Sequence, residues 1–199
     1  MSPSYGSTLA VFLAALLLAA GGSSHPPKLN QNIAYVFAGT ARSFSCPKVH
    51  WSIKLNLIDA LGGVPSVFMR ISTEDNLNTR TGSGTLHKSS YRQGEINATI
   101  EIFRPKIVEF FSLSNQEEEM RHNFAGVAHD VYRQHDLRRY SMFYHRSMAY
   151  KLAMRYERDH RMTFDWAVLV RLDASWLEPV MPIHQFRNDR VYATKTGYA

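Results

Sequence analysis

Three short, unbroken apolar runs constrain this chain more than any other feature: Ile33–Phe37 (IAYVF), Ser66–Ile71 (SVFMRI) and Trp166–Leu172 (WAVLVRL). They are strand-length and lack the polar alternation of a strand wetted on one face, so each suits a strand of a parallel sheet that is covered on both sides. The stretches between them supply the covers. Pro47 opens a helical stretch in which Trp51, Leu55 and Ile58 recur at helical spacing with Ile53 and Leu57 alongside, and Gly62-Gly63 ends it. The strongest helix is expected from Asp136 to about Arg161. Met148, Leu152 and Tyr156 form one stripe, and Phe143, Tyr150 and Met154 line another side, which predicts a helix sandwiched within the protein.

The remaining segments read more briefly. Ala98–Phe103 (ATIEIF) alternates and is stopped by Pro105, so it is expected as a third strand. Ile107–Phe111 is apolar but short, and Ser114 with Glu117 makes a capping box for a helix starting there. Asn76 to Gly94 reads as an exposed loop; Leu177–Ile183, with Pro179 and Pro182, must be irregular; Arg190–Ala193 suits one more strand. This order predicts an α/β fold, an open and mainly parallel sheet flanked by helices, as a single domain over 33–199. A length of 199 residues, with 45% hydrophobic and 20% charged, agrees with one globular domain and excludes a disordered tail or a coiled coil.

Charge is absent from the first 27 residues, and Leu9–Ala20 is 12 apolar residues in a row. That is short of the ~20 needed to span a bilayer. Followed by Ala19-Ala20-Gly21-Gly22-Ser23-Ser24, it reads as a cleaved signal peptide or an uncleaved signal anchor over 1–24, with a linker at 25–32; a buried helix is the third reading. The expected address is the secretory pathway, in the Golgi lumen or outside the cell, with membrane contact only through an uncleaved leader. Asn97-Ala98-Thr99 is then a glycosylation sequon. The single cysteine, Cys46, excludes an internal disulfide framework and a cysteine-built zinc site, and leaves a thiol that is either buried or open to a partner.

In open α/β sheets, ligands bind beyond the carboxyl ends of the strands. After the first run stand Gly39, Thr40 and Arg42, where a glycine admits close backbone approach; neither a G-x-G-x-x-G nor a P-loop motif is present. After the second stand Glu74 and Asp75, able to accept hydrogen bonds from a ribose or base, or to serve as ordinary turn residues. The last run ends in Arg171-Leu172-Asp173, whose alternation points Arg171 and Asp173 to one face. A carboxylate there can ligate a divalent cation or pair locally. Trp176 reads as packing. Nine histidines show no HExxH pair, and no G-x-S-x-G elbow occurs, so neither a histidine-built metal site nor that nucleophile is expected. Asp136–Arg161 holds seven basic and three acidic side chains, +4 of the chain's +6. That is a solvated helix flank or a field for an anion such as a nucleotide diphosphate. Nucleic acid is not expected at a secretory address.

Ser141–Val180, with Phe164-Asp165-Trp166, Arg171-Leu172-Asp173 and Trp176, together with Ala38-Gly39-Thr40-Ala41-Arg42-Ser43-Phe44, resembles an uncharacterised plant, algal and protist domain family. Its layout is similar to nucleotide-sugar glycosyltransferases of the GT-A type, with a Rossmann-like donor-binding half. The resemblance implies a donor site at the ends of the first, second and last long strands. Gly39, Thr40, Arg42 and Arg171 would lie at the nucleotide diphosphate, Glu74 or Asp75 at the nucleoside, and Asp173 at a divalent metal (Mn²⁺ or Mg²⁺) or the ribose. The Asp-x-Asp motif of that type is absent: Arg171 or Ser175 stands where one carboxylate would be. The acceptor site and base of such enzymes follow the metal motif, so a chain ending 26 residues after Asp173 is expected to be a donor-binding half, incomplete at its C-terminus, with no catalytic residue assignable. The expected function is a glycosyltransferase-like protein that binds a nucleotide sugar and transfers the sugar to a glycan acceptor. The alternative is a non-catalytic secreted module for anionic polysaccharide or phosphate ligands.

Overall fold

The computed structural model describes residues 16–19, 30–41, 43–72, 93–112, 137–187 and 189–193. Most of the expected leader, most of the loop expected over Asn76–Gly94 and the expected helix at Ser114 lie outside the described residues; the last residues of that expected loop, Gln93 and Gly94, open a helix instead. The sheet has six strands: β1 (Leu16–Ala19), β2 (Asn32–Thr40), β3 (Val64–Ser72), β4 (Ile107–Phe110), β5 (Trp166–Val170) and β6 (Tyr192–Ala193), in the order β4-β3-β2-β5-β1-β6. Strands β4, β3, β2 and β5 are mutually parallel, and β1 lies antiparallel between β5 and β6. The expected α/β architecture is therefore present. Strand β1 falls inside the apolar leader run, in extended conformation.

The order records one reversal. From β2 the chain steps to β3 and then β4 on one side, and later returns to place β5 on β2's other side. Helix α1 (Pro47–Ser52), continued by a π-helical segment (Ile53–Asp59), links β2 to β3, and α2 (Gln93–Phe103) links β3 to β4. These cover one face. Ile33, Tyr35 and Phe37 of β2, with Met69 and Ile71 of β3 and Trp166, Val168 and Val170 of β5, pack there against Val49, Ile53, Leu57, Ile96 and Phe103. Helix α3 (Leu137–His160) covers the opposite face, where Ala34, Val36 and Phe68 meet Ala149, Leu152, Ala153 and Phe164. Small residues on both sides of that interface let the helix sit close to the strands.

Three expectations about faces need correction. ATIEIF is helical: Ile96, Ile100 and Phe103 are buried at i, i+4 and i+7, a helical period that outweighs the local alternation of Ile100 and Ile102. The third parallel neighbour is the short run Ile107–Phe110. In the first helical stretch the buried stripe is Val49, Ile53, Leu57 and Leu61, while Trp51 and Leu55 are exposed. Helix α3 buries one face only, through His145, Ala149, Leu152 and Ala153; Phe143 and Met154 point to solvent. Cys46 is exposed, before α1.

The segment after β5 is irregular, as its prolines require, and is fastened to α1 and the π-helical segment. Trp176 N–H donates to Ser52 Oγ (3.0 Å), Asn56 Nδ2 donates to the Trp176 carbonyl (2.6 Å), and Val180 N–H donates to the Asn56 carbonyl (2.8 Å). Trp176 is packing, as expected. At the other end of the sheet, Asn32 N–H donates to Asp165 Oδ2, and Asp165 N–H returns a bond to the Asn32 carbonyl, both at 2.8 Å.

Gly62 and Gly63 both have φ near +74°, which L side chains rarely adopt. They differ in surroundings: a Cβ on Gly63 would lie 2.7 Å from the Gln31 carbonyl oxygen and 2.8 Å from Ile33 Cδ1, whereas one on Gly62 meets nothing within 4 Å. Gly62→Ala should cost ~1–2 kcal/mol from backbone strain alone. Gly63→Ala should cost a further ~1–3 kcal/mol from overpacking. Urea unfolding checks this, and equal losses would refute it.

The buried Tyr35 hydroxyl donates to the Ile58 carbonyl at 3.4 Å, and its pKa is pushed well above the usual 10.0, first by burial and then by Asp59. A phenol whose folded pKa is raised contributes stability that is complete below the unfolded pKa and is lost as pH rises past it. Stability should therefore fall above about pH 10. Tyr35→Phe should flatten that fall in pH-dependent urea melts; an unchanged alkaline slope would exclude Tyr35 as its source.

Candidate functional site

The strand order reverses at the boundary between β2 and β5, and it is at the carboxyl ends of such adjacent strands that open α/β sheets collect ligands, in a crevice. The last paired residues of these strands are Phe37 and Val170. One residue further on stand Ala38 and Arg171. Gly39 follows with φ +137° and open space where a Cβ would be, so the backbone there is bare and bent in a way that favours glycine. Thr40 ends β2 opposite Ser72.

Val170 and Leu172 both belong to the core on the α1 side, so Arg171 between them is turned toward α3. It donates twice to Asp173, from Nε to Oδ1 at 2.9 Å and from a terminal nitrogen to Oδ2 at 2.8 Å. Both side chains are a little over a quarter exposed. The bidentate bond raises the pKa of Arg171, against the opposing pull of burial. Arg146 of α3 faces the same pair. Its pKa is lowered first by burial and then by Arg171, with Asp173 opposing. Arg146 is thus within electrostatic reach of the Arg171–Asp173 pair.

A buried cluster fixes α3 beside them. Arg70 of β3 lies level with Ala38 of β2 and Glu109 of β4 and is only 2% exposed. Its guanidinium donates to Glu109, and its Nε donates to His145 Nδ1 at 3.2 Å. An arginine can only donate, so this bond requires an unprotonated Nδ1 on His145. The His145 ring stacks on Phe111 (3.8 Å between centroids), and the Arg70 guanidinium stands 5.2 Å from the same Phe111 ring. His145 precedes Arg146 directly, so the cluster fixes the backbone from which Arg146 extends.

Of the expected site residues, Gly39 and Thr40 lie at the carboxyl end of β2, and Arg171 and Asp173, bonded to each other, just beyond the carboxyl end of the adjacent β5. Arg42, Glu74 and Asp75 lie outside the described residues. Asn97 is exposed on α2. Arg146, Arg70, His145 and Glu109 were not singled out as site residues. Arg70 carried a readable signal, a charge inside an otherwise apolar strand. Arg146 was one of seven basic residues on its segment, with nothing to mark it.

The donor set bears on the expected metal. A hard dication takes oxygen ligands, carboxylates foremost. Here one carboxylate is present, both its oxygens accept bonds from Arg171, and a second guanidinium is close by. Among the described residues, no three His, Cys, Asp or Glu gather where they could hold a metal ion. Among the described residues, then, the Asp173 carboxylate is engaged by Arg171 and stands in no group of three that could hold Mn²⁺ or Mg²⁺. No helix among the described residues is long and apolar enough to cross a membrane. No family model, curated protein or solved structure matches this chain.

If Arg70 and Glu109 act as one unit, their substitutions should not be additive. Glu109→Ala withdraws the carboxylate from a buried cation and should cost ~3 kcal/mol. Adding Arg70→Met should recover part of that loss, leaving a coupling of at least ~1 kcal/mol in a double-mutant cycle by chemical denaturation. Simple additivity would show that the pair is incidental.

Proposed function

We propose that this chain is a glycosyltransferase-like protein of the secretory pathway that binds a nucleotide sugar, with the donor's diphosphate seated in the crevice between β2 and β5. One observation carries the reading: the forked Arg171–Asp173 pair follows directly on β5 where the strand order reverses, with Arg146 within electrostatic reach and the bare backbone of Gly39 near the end of the neighbouring β2. The crevice is where ligands of open α/β sheets collect. Arginine's planar fork matches phosphate oxygens in a bidentate manner.

The roles follow from chemistry. Arg171 and Arg146 take the diphosphate, and Gly39 admits it against the backbone. Asp173 orients Arg171 instead of ligating a cation, so binding proceeds without a divalent metal. Sugar transfer to a glycan acceptor belongs to this reading through the GT-A-like resemblance, and the seated diphosphate would be its leaving group.

Binding of UDP or GDP to the folded state should raise the melting temperature. Ligand at 100 times its Kd adds ~2.7 kcal/mol of stability. The shift should persist in EDTA and disappear in Arg171→Met and Arg146→Met. A nucleoside without phosphates should give little shift. No response to any nucleoside diphosphate would overturn the proposal, and a response confined to Mn²⁺-containing buffer would overturn its metal-free form.

A further inference from the structure

A second basic feature lies on the opposite side of α3. With about 100° of turn per residue, Phe143, Ser147, Lys151, Met154, Arg155 and Arg158 fall within roughly 120° of one another. All six are exposed, Phe143 by 60%. The buried His145, Ala149, Leu152 and Ala153 occupy the side toward the sheet. The exposed stripe from Phe143 to Arg158 runs for ~22 Å along the helix. Its acidic opposition is small. Glu157 is turned away, accepting the Phe164 N–H at 2.7 Å, and Asp159 meets Arg158 at 3.3 Å between two well-exposed side chains.

We infer that this stripe is a docking surface for an anionic polysaccharide chain. Lys151, Arg155 and Arg158, one helical turn apart, would meet successive acidic groups, and the exposed Phe143 ring offers a flat apolar face to a sugar ring. Charge complementarity selects a polyanion. The distribution of apolar groups argues against a lipid surface: an interfacial helix buries a broad apolar face in the bilayer, and the broad apolar face of α3 is already committed to the sheet. This surface is independent of the donor-site reading, since it shares no residue with the crevice.

The test uses the full chain on immobilised heparin, as a sulfated glycan, and on polygalacturonate, as a carboxylated one. Retention at low salt and elution by rising NaCl are expected on at least one. Lys151→Gln/Arg155→Gln/Arg158→Gln should weaken binding at least tenfold with the melting temperature unchanged, because these side chains are exposed. Asp159→Asn, which releases Arg158, should raise the eluting salt concentration. Arg171→Met should leave retention intact, which separates this surface from the crevice. Unchanged retention of the triple variant would overturn the inference. So would tenfold tighter binding to single-stranded RNA or to vesicles of anionic phospholipid than to either glycan.

Discussion

Strand β2 is the member on which the other elements depend. Five consecutive residues, Ile33 to Phe37, are essentially without solvent contact, which means that both of its faces and both of its edges are covered. Its edges are satisfied by parallel partners, and parallel neighbours cannot be joined by a tight turn. Each partner therefore costs a crossover, and the crossovers become the covers. α1 and α2 take one face and α3 takes the other. A chain that covers both faces in this way must reverse its direction of travel across the sheet. That reversal falls at the boundary between β2 and β5.

How far this was legible in the sequence follows from what each signal measures. Unbroken apolar runs report burial on both faces, and β2, β3 and β5 were read correctly on that basis. ATIEIF was misread because alternation and helical period overlap over six residues; only the inclusion of Ile96 separates them. In the first helical stretch, Trp51 with Leu55 and Ile53 with Leu57 are equally apolar stripes. The choice between them rests on where the sheet lies, a tertiary fact. The same holds for the basic helix. Arg146 differs from Lys151 or Arg155 in phase alone, and the phase is set by which of Ala149, Leu152 and Ala153 can approach β2 and β3. The juxtaposition of Arg171 and Asp173 was legible because strand alternation is local.

Arg70 shows why the crevice needs a buried charge at all. Helix α3 presents small and aliphatic residues to the sheet, and such an interface tolerates sliding. A guanidinium held between Glu109 and His145 does not, since displacement would strand a buried cation. The bond to His145 Nδ1 adds a direction as well as a distance. With His145 held, the stretch of α3 that carries Arg146 is fixed beside β3. A lysine in place of Arg70 would keep the charge and lose the directed fork.

The pairing of Arg171 with Asp173 leaves part of the guanidinium's donor capacity unspent. A guanidinium has five N–H groups. Two of Arg171's serve Asp173, through Nε and one terminal nitrogen, so three remain, two of them on the other terminal nitrogen. The carboxylate holds the fork at one angle, so an incoming phosphate need not immobilise a long side chain. Counting Arg146, the group carries two positive charges and one negative. A net single positive charge suits the diphosphate of the proposed function. An unpaired pair of arginines would repel each other more strongly; the pKa of Arg146 is lowered first by burial and then by Arg171. Asp173 is thus read best as the residue that makes two neighbouring arginines tolerable in the ligand-free protein.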